Sequence, residues 1–145
     1  MSDFLIRHNE YVVVCDGAKA LVLENAGDAK LLDLKTREVY EQKDLPTREL
    51  GTDAPGRPMN AAGGSMEQTD WHARAERAFL ERLAARLDAA VAAGRIKSLI
   101  LVAPPRALGL IRQACSPALR GAIRAEVDKD YVKLPVHEIE RHLAA

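Results

Sequence analysis

The chain has 145 residues, and its 21 lysines and arginines balance its 21 aspartates and glutamates. This length is typical of one domain with its own core. Domains that bind nucleic acid through bulk charge are strongly basic, so a net charge of zero argues against that mode and leaves a local basic patch as the alternative. Aromatic residues make up only 4% of the chain, so aliphatic side chains must fill most of the core.

The cysteines and the N-terminus indicate the compartment. Cys15 and Cys115 lie within apolar runs and lack the spacing of a disulfide framework or a metal-binding pair. We therefore expect two buried thiols, no metal and no cofactor. Residues 1–4 carry no basic segment followed by an apolar one, and no apolar run reaches the roughly 18 residues that span a bilayer. The sequence predicts a cytoplasmic protein without membrane contact.

The first forty residues have the pattern of three strands joined by short turns. A β-branched run comes first and is typical of a strand buried on both faces. Asp16-Gly17 then marks a tight turn, and a second turn follows at 25–28. The predicted strands are 11–15, 18–23 and 30–34, with 39–40 as an open extension of the third. Short connections of this kind predict an antiparallel meander.

From about residue 41 to residue 69 the periodicity disappears, and glycines and prolines become frequent. Loops of this length in a compact domain are usually functional or disordered. Within it, Gly63-Gly64-Ser65 is either an exposed tip presented to a partner or a flexible linker, because glycine permits both close approach and mobility. It is not a phosphate loop, since no Gly-Lys-Ser/Thr follows.

The second half alternates helix and strand signals. Apolar residues recur at every fourth position from Phe79 to Val91, which predicts an amphipathic helix over about 71–93. Asp70 or Thr69 can cap its start. The remaining strands are predicted from apolar runs and from alternating apolar and polar residues, and the remaining helices from prolines that can occupy a first helical turn. These are a strand at 98–103, a helix from Pro105 or Arg106 to about 114, a helical turn from 117, a strand at 123–128, and a helix from 135 to about 143.

The predicted order is therefore an antiparallel three-strand meander, a long loop, and then α-β-α-β-α. Strands linked by helical crossovers are typical of a mixed sheet with helices on its faces. The sequence predicts a single α/β domain over residues 1–145.

Two places outside the loop are candidate sites. At 103–106 a strand ends and a helix begins, which favours an anion beside Arg106, although two prolines remove donors there. Asp16 and Asp128 both follow or end strands, and paired carboxylates can hold Mg²⁺. The alternative is a turn residue and a solvent-facing loop residue. The four histidines lack ligand spacing, and no Gly-x-Ser-x-Gly elbow occurs. We therefore expect no complete catalytic or metal site.

Four segments resemble the bacterial host attachment protein family, whose members are named as required for attachment to host cells. The segments are VCDGAKA at 14–20, GRP at 56–58, LVAPPRALG at 101–109 and EVDKDY at 126–131. Together they extend over almost the whole chain, and the third is the most specific. A cellular phenotype names no chemistry, so the resemblance leaves the molecular activity open.

That family is similar to the middle domain of archaeal and eukaryotic peptide-chain release factors and of the Pelota rescue factors. The resemblance implies a ribonuclease-H-like mixed sheet. In release factors the long loop before the first helix carries Gly-Gly-Gln, which promotes peptidyl-tRNA hydrolysis. Here the corresponding region has Gly63-Gly64-Ser65, and Gln68 stands three residues further on. Because the glutamine is absent from its place, binding is favoured over catalysis.

Three functional hypotheses follow. The first is a translation-associated domain that contacts ribosome or tRNA through the loop and a basic edge. The loop residues are Arg57, Gly63, Gly64, Ser65 and Gln68, and those of the edge are Arg106, Arg112, Arg120 and Arg124. The second, favoured by the neutral charge, is a cytosolic interaction or regulatory protein that supports attachment without RNA. The third is a degenerate peptidyl-tRNA hydrolase or metal-dependent nuclease.

Overall fold

The computed structural model describes residues 6–42 and 61–143, and side chains over 6–42 and 71–143. Five strands and four helices lie within these ranges. The strands are β1 (Tyr11–Cys15), β2 (Lys19–Asn25), β3 (Leu34–Glu41), β4 (Leu99–Ala103) and β5 (Ile123–Asp128). The helices are α1 (Ala61–Ala92), α2 (Pro105–Ala114), α3 (Pro117–Ala122) and α4 (Val136–Leu143).

The strands form one mixed sheet in the order β3-β2-β1-β4-β5. The first three pair antiparallel, as the predicted meander requires, while β4 pairs parallel with both β1 and β5. Parallel neighbours need crossover connections, and α2 with α3 supplies the one from β4 to β5. The predicted single α/β domain with a mixed sheet is confirmed.

β1 is the middle strand of the sheet, and β4 lies beside it. Consecutive apolar residues allow both faces of these two strands to be buried. One face packs against α1, α2 and α3, and the other against α4 and the residues around it. Helix side chains that close the first face are Phe79, Leu83, Leu87, Ile111 and Leu119, and those that close the second are Ile139 and Leu143. Each such side chain contributes about 1.5–3 kcal/mol when fully buried.

The third strand begins later than the sequence predicts. It starts at Leu34, whereas residues 30–33 lie outside it. The Asp28 carboxylate accepts hydrogen bonds from the Lys30 and Leu31 N–H groups at 2.9 and 2.8 Å. Bonds of this local kind compete with a strand ladder. The apolar residues here resemble a strand in sequence, but Leu31 is 76% exposed.

Helix α1 begins at Ala61 rather than near residue 71. The predicted loop is therefore wrong over 61–69, and Thr69 and Asp70 lie within the helix instead of capping it. Once the packed turns are formed, each added residue gains a hydrogen bond without a new nucleation cost. Good helix formers such as alanine, methionine, glutamate and glutamine offset the cost of about 1 kcal/mol for each glycine. The predicted loop residues 43–60 lie outside the described residues.

The shorter C-terminal elements match their predictions. Pro105 and Pro117 occupy the first turns of α2 and α3, where a missing N–H costs nothing. Ser116 caps α3, since its Oγ accepts from the Leu119 N–H at 3.1 Å, and it also donates to Asp88. Of the helices that the structure describes, none is apolar enough over a sufficient length to cross a membrane.

Candidate binding cleft at the strand ends

A cleft of about 620 Å³ opens where β1 ends and α2 begins. Its walls come from the β1–β2 turn, the end of β3, the side of α1 and the start of α2. The lining residues are Asp16, Gly17, Ala18, Gln42, His72, Ala73, Glu76 and Arg106. β1 has an antiparallel neighbour on one side and a parallel neighbour on the other. Ligands of open α/β sheets bind outside carboxyl strand ends, where the connections diverge.

The floor of the cleft is a tight turn closed by Asp16. Its Oδ1 accepts hydrogen bonds from the N–H groups of Ala18 and Lys19 at 2.8 and 2.9 Å. Gln42 fixes the turn from the other side, because its Nε2 donates to the Gly17 carbonyl at 3.0 Å. The Asp16 carboxylate therefore has a structural task, and the predicted turn is confirmed.

An ion pair between α1 and α2 forms the opposite wall. Arg106 Nε donates to Glu76 Oε1 at 2.5 Å, and the Arg106 side chain remains 65% exposed. A pair this exposed contributes at most about 1 kcal/mol to stability. Its main effect is to hold a guanidinium at the cleft, where a ligand phosphate or carboxylate can replace the Glu76 carboxylate.

Two neighbouring rings on α1 belong to His72 and Trp71. His72 lines the cleft, and the ring of Trp71 meets the His72 ring edge-on with centroids 5.3 Å apart. The Trp71 side chain is exposed. An exposed aromatic ring is a surface that planar ligands can stack on.

The close approach of Gly17 to Glu76 leads to a testable expectation. A Cβ added at Gly17 would overlap the Glu76 side chain, so Gly17→Ala should displace that carboxylate and release Arg106. We expect a loss of at most about 1 kcal/mol in unfolding free energy, together with a clear shift of the Arg106 Nε–H resonance. Gly109→Ala is the control, because its added Cβ meets nothing within 4 Å. If the Arg106 Nε–H resonance does not shift in Gly17→Ala, the close approach of Gly17 to Glu76 is contradicted.

The structure does not support a shared metal site at Asp16 and Asp128. β4 lies between their strands, which separates the two backbones by about 10 Å at the usual strand spacing. Asp128 is exposed and pairs in register with Ala103. Within residues 6–42 and 71–143 no group of three potential ligands lies close enough together to hold a metal ion.

The predicted basic edge is largely neutralised by carboxylates. Arg112 pairs with Glu126, whose hydrogen bond raises the pKa of the guanidinium. Arg124 pairs with Glu10 at 2.6 Å, and Arg120 donates to the Arg112 carbonyl at 2.9 Å. Arg112 and Arg124 therefore contribute little excess positive charge, whereas Arg120 has a neutral partner.

The remaining predicted residues have different outcomes. Gly63, Gly64, Ser65 and Gln68 lie on α1, where the structure describes only the backbone. Arg57 lies outside the described residues. Both predicted thiols are buried. Burial raises the pKa of Cys15, and Asp16 raises it further, so this thiol stays protonated and unreactive at neutral pH.

Sequence reasoning missed Gln42, His72 and Glu76 as members of one site. Glu76 belongs to the polar face of a helix, His72 is one of four scattered histidines, and Gln42 follows a strand. None of these positions carries a motif. Only the packing of α1 on the sheet brings them to the β1–β2 turn.

These features define a three-layer α/β domain with a cleft at the carboxyl ends of its central strands, which both charged and small side chains line. The chain belongs to the family described as "Protein required for attachment to host cells", whose model matches residues 11–143. The predicted family is thereby confirmed. A comparison with curated proteins gave no match.

Proposed function

We propose that this protein is a non-catalytic binding domain associated with translation, which contacts ribosomal RNA or tRNA through the cleft. The observation that carries the proposal is that His72 and Arg106 line one cleft, while the exposed ring of Trp71 lies edge-on against His72. Single-stranded RNA is recognised by bases that stack on aromatic rings and guanidinium planes and by phosphates that bind cations. The exposed ring and the exposed guanidinium supply both kinds of contact.

The position of α1 supports the same proposal. Gly63 and Gly64, which the resemblance aligns with the release-factor tip, precede Trp71 on this helix. A rise of 1.5 Å per residue places Gly64 about 10 Å from Trp71 along the axis. One RNA segment can therefore contact both. The resemblance implies a mixed sheet, and the five strands form a mixed sheet.

A binding role also fits how the carboxylates are used. Asp16 closes the β1–β2 turn, and Glu76 is paired with Arg106. β4 lies between the strand that precedes Asp16 and the strand that ends at Asp128. The cleft therefore offers hydrogen bonds and stacking rather than an activated nucleophile.

Co-sedimentation with purified bacterial ribosomes tests the proposal. We expect the chain in the ribosomal fraction at low salt. Trp71→Ala should weaken binding about 5- to 150-fold, since stacking contributes about 1–3 kcal/mol per base. Arg106→Gln should weaken it and lower the salt slope by about one.

The matched control is Arg141→Gln, which removes the same charge from an exposed position on α4. Substituting Gly63 and Gly64 should also weaken association. Absence of the chain from ribosomal fractions at low salt, or equal loss in Arg141→Gln, contradicts binding through the cleft.

A second candidate is a domain that binds proteins without RNA and supports attachment indirectly. The observation that favours it is the neutralised edge, where Arg112 and Arg124 are each paired with a glutamate. A surface with paired charges does not attract the RNA backbone strongly. Affinity capture with and without ribonuclease distinguishes the two candidates. Partners that persist after ribonuclease treatment support protein binding, whereas RNA-dependent recovery supports translation-associated binding.

A further inference from the structure

A second pocket of about 270 Å³ lies at the opposite end of the sheet, where β1 and β4 begin. It is formed by the turn that precedes β1, the end of β2 and the loop that precedes β4. Its lining residues are Arg7, His8, Asn9, Glu10, Glu24, Arg95, Lys97 and Ser98. None of these residues lines the cleft described above.

The pocket has an excess of positive charge once the ion pairs of its two carboxylates are considered. Both of its carboxylates already have an arginine partner: Arg124 binds Glu10 at 2.6 Å, and Arg37 binds Glu24 at 2.8 Å. Three lining cations, Arg7, Arg95 and Lys97, form no side-chain ion pair in the part of the chain that the structure describes. They are exposed and share one concave surface.

Buried bonds keep the rim in place. Glu10 Oε1 accepts from the Arg7 N–H at 3.0 Å, and Oε2 accepts from Ser98 Oγ at 2.8 Å. The Glu10 side chain is 1% exposed, so it connects the Arg7 turn to the start of β4. The two cationic segments are therefore held together before any ligand arrives, which lowers the entropy cost of binding.

His8 is also held in a defined way. Its Nδ1 lies 2.7 Å from the Gly27 carbonyl oxygen. A carbonyl oxygen can only accept a hydrogen bond, so Nδ1 carries the hydrogen. Nε2 is then the ring nitrogen that this hydrogen bond does not use. Asn9 adopts a positive φ of 67°, a conformation that asparagine tolerates better than most residues. This conformation turns the chain between His8 and β1.

We propose that this pocket binds a phosphate group. Two arginines and a lysine supply charge-assisted hydrogen bonds of the kind that phosphate oxygens accept. The two carboxylates do not repel the ligand strongly, because each is already neutralised. The phosphate belongs either to a small phosphomonoester or to a nucleic-acid backbone, and both present the same oxygens.

Titration of the full chain with inorganic phosphate, followed by ¹⁵N–¹H spectra at constant ionic strength, tests the site. We expect saturable shifts at the backbone amides of Arg7, His8, Arg95 and Lys97. Arg95→Gln combined with Lys97→Gln should weaken binding at least about tenfold, because two charge-assisted hydrogen bonds are lost. Dimethyl phosphate distinguishes the sources: equal affinity indicates a backbone diester, and weaker affinity indicates a phosphomonoester.

Lys129→Gln combined with Lys133→Gln is the matched control, since it removes the same charge from exposed positions outside the pocket. Binding retained in the control and lost in the pocket variant supports the proposal. Equal loss in both variants, or shifts spread over the whole surface without saturation, overturns it. The absence of shifts with either phosphate also overturns it.

Discussion

Asn25→Ala is expected to lower the unfolding free energy by about 3–4 kcal/mol, since several buried hydrogen-bonding groups lose their partner at once. The Asn25 side chain is fully buried at the end of β2. Its Nδ2 lies within 3.2 Å of three carbonyl oxygens, and its Oδ1 accepts from two N–H groups at 3.0 Å. The carbonyls belong to Ile6, Arg7 and Asp28, and the N–H groups to Gly27 and Asp33.

Urea unfolding at neutral pH measures the effect. Asn9→Gly is the control, because Asn9 is an exposed asparagine with positive φ, and glycine adopts that conformation without strain. Its stability should change by less than about 1 kcal/mol. A loss below about 1 kcal/mol in Asn25→Ala, the net value of one ordinary hydrogen bond, would show that the network does not hold the turns together.

The sequence predicts this fold best where one signal determines an element. β1 and β4 are continuous apolar runs that predict strands, and both strands are buried, β1 on both faces as expected. The prolines at the starts of α2 and α3 mark those helices correctly. The local sequence is sufficient to predict these elements, because no distant residue changes their secondary structure.

Prediction from the sequence fails where a distant or competing interaction determines the local secondary structure. The apolar residues at 30–34 resemble a strand, but the Asp28 carboxylate binds the N–H groups of Lys30 and Leu31 first. Gly63 and Gly64 are typical of a loop, yet α1 extends through them from its packed turns. Helical cooperativity depends on packing further along the chain, which a local pattern does not reveal.

The candidate site depends still more on tertiary structure. Glu76 and Arg106 stand thirty residues apart in sequence, and neither position differs from an ordinary solvated charge. The proposed pairing of Asp16 with Asp128 required two strand ends to meet across the sheet, whereas β4 lies between their strands. Strand order cannot be read from residue types alone, so sequence reasoning identified Asp16 and Arg106 but not the cleft that contains them.

Glu10→Gln is expected to lower the unfolding free energy by about 2–4 kcal/mol at neutral pH, because the partly buried Arg124 guanidinium loses the carboxylate that compensates its charge. The Arg124 side chain is 26% exposed and binds Glu10 through Nε and Nη2 at 2.6 and 2.7 Å. The glutamine amide also places a donor against these donors. Arg124→Met should be costly as well, and the double variant should lose at least about 1 kcal/mol less than the sum of the two.

The dependence on pH separates this charge pair from a packing effect. Burial raises the pKa of Glu10, but hydrogen bonds from Arg124, the Arg7 N–H and Ser98 outweigh it and leave the pKa below its usual 4.5. The unfolded state therefore takes up the proton first as the pH falls, so this part of the stability is present above pH 4.5 and is lost below it.

Glu10→Gln has no such titration, so its stability difference from the wild type should be largest near neutral pH. That difference should shrink as the pH falls through the lowered pKa of Glu10. The pKa of Asp28 is also lowered, by hydrogen bonds from Leu31 and Lys30, but that group is common to both proteins and cancels. A difference that stays constant between about pH 7 and pH 3 would assign the loss to packing alone, because only an ionised Glu10 makes it vary with pH.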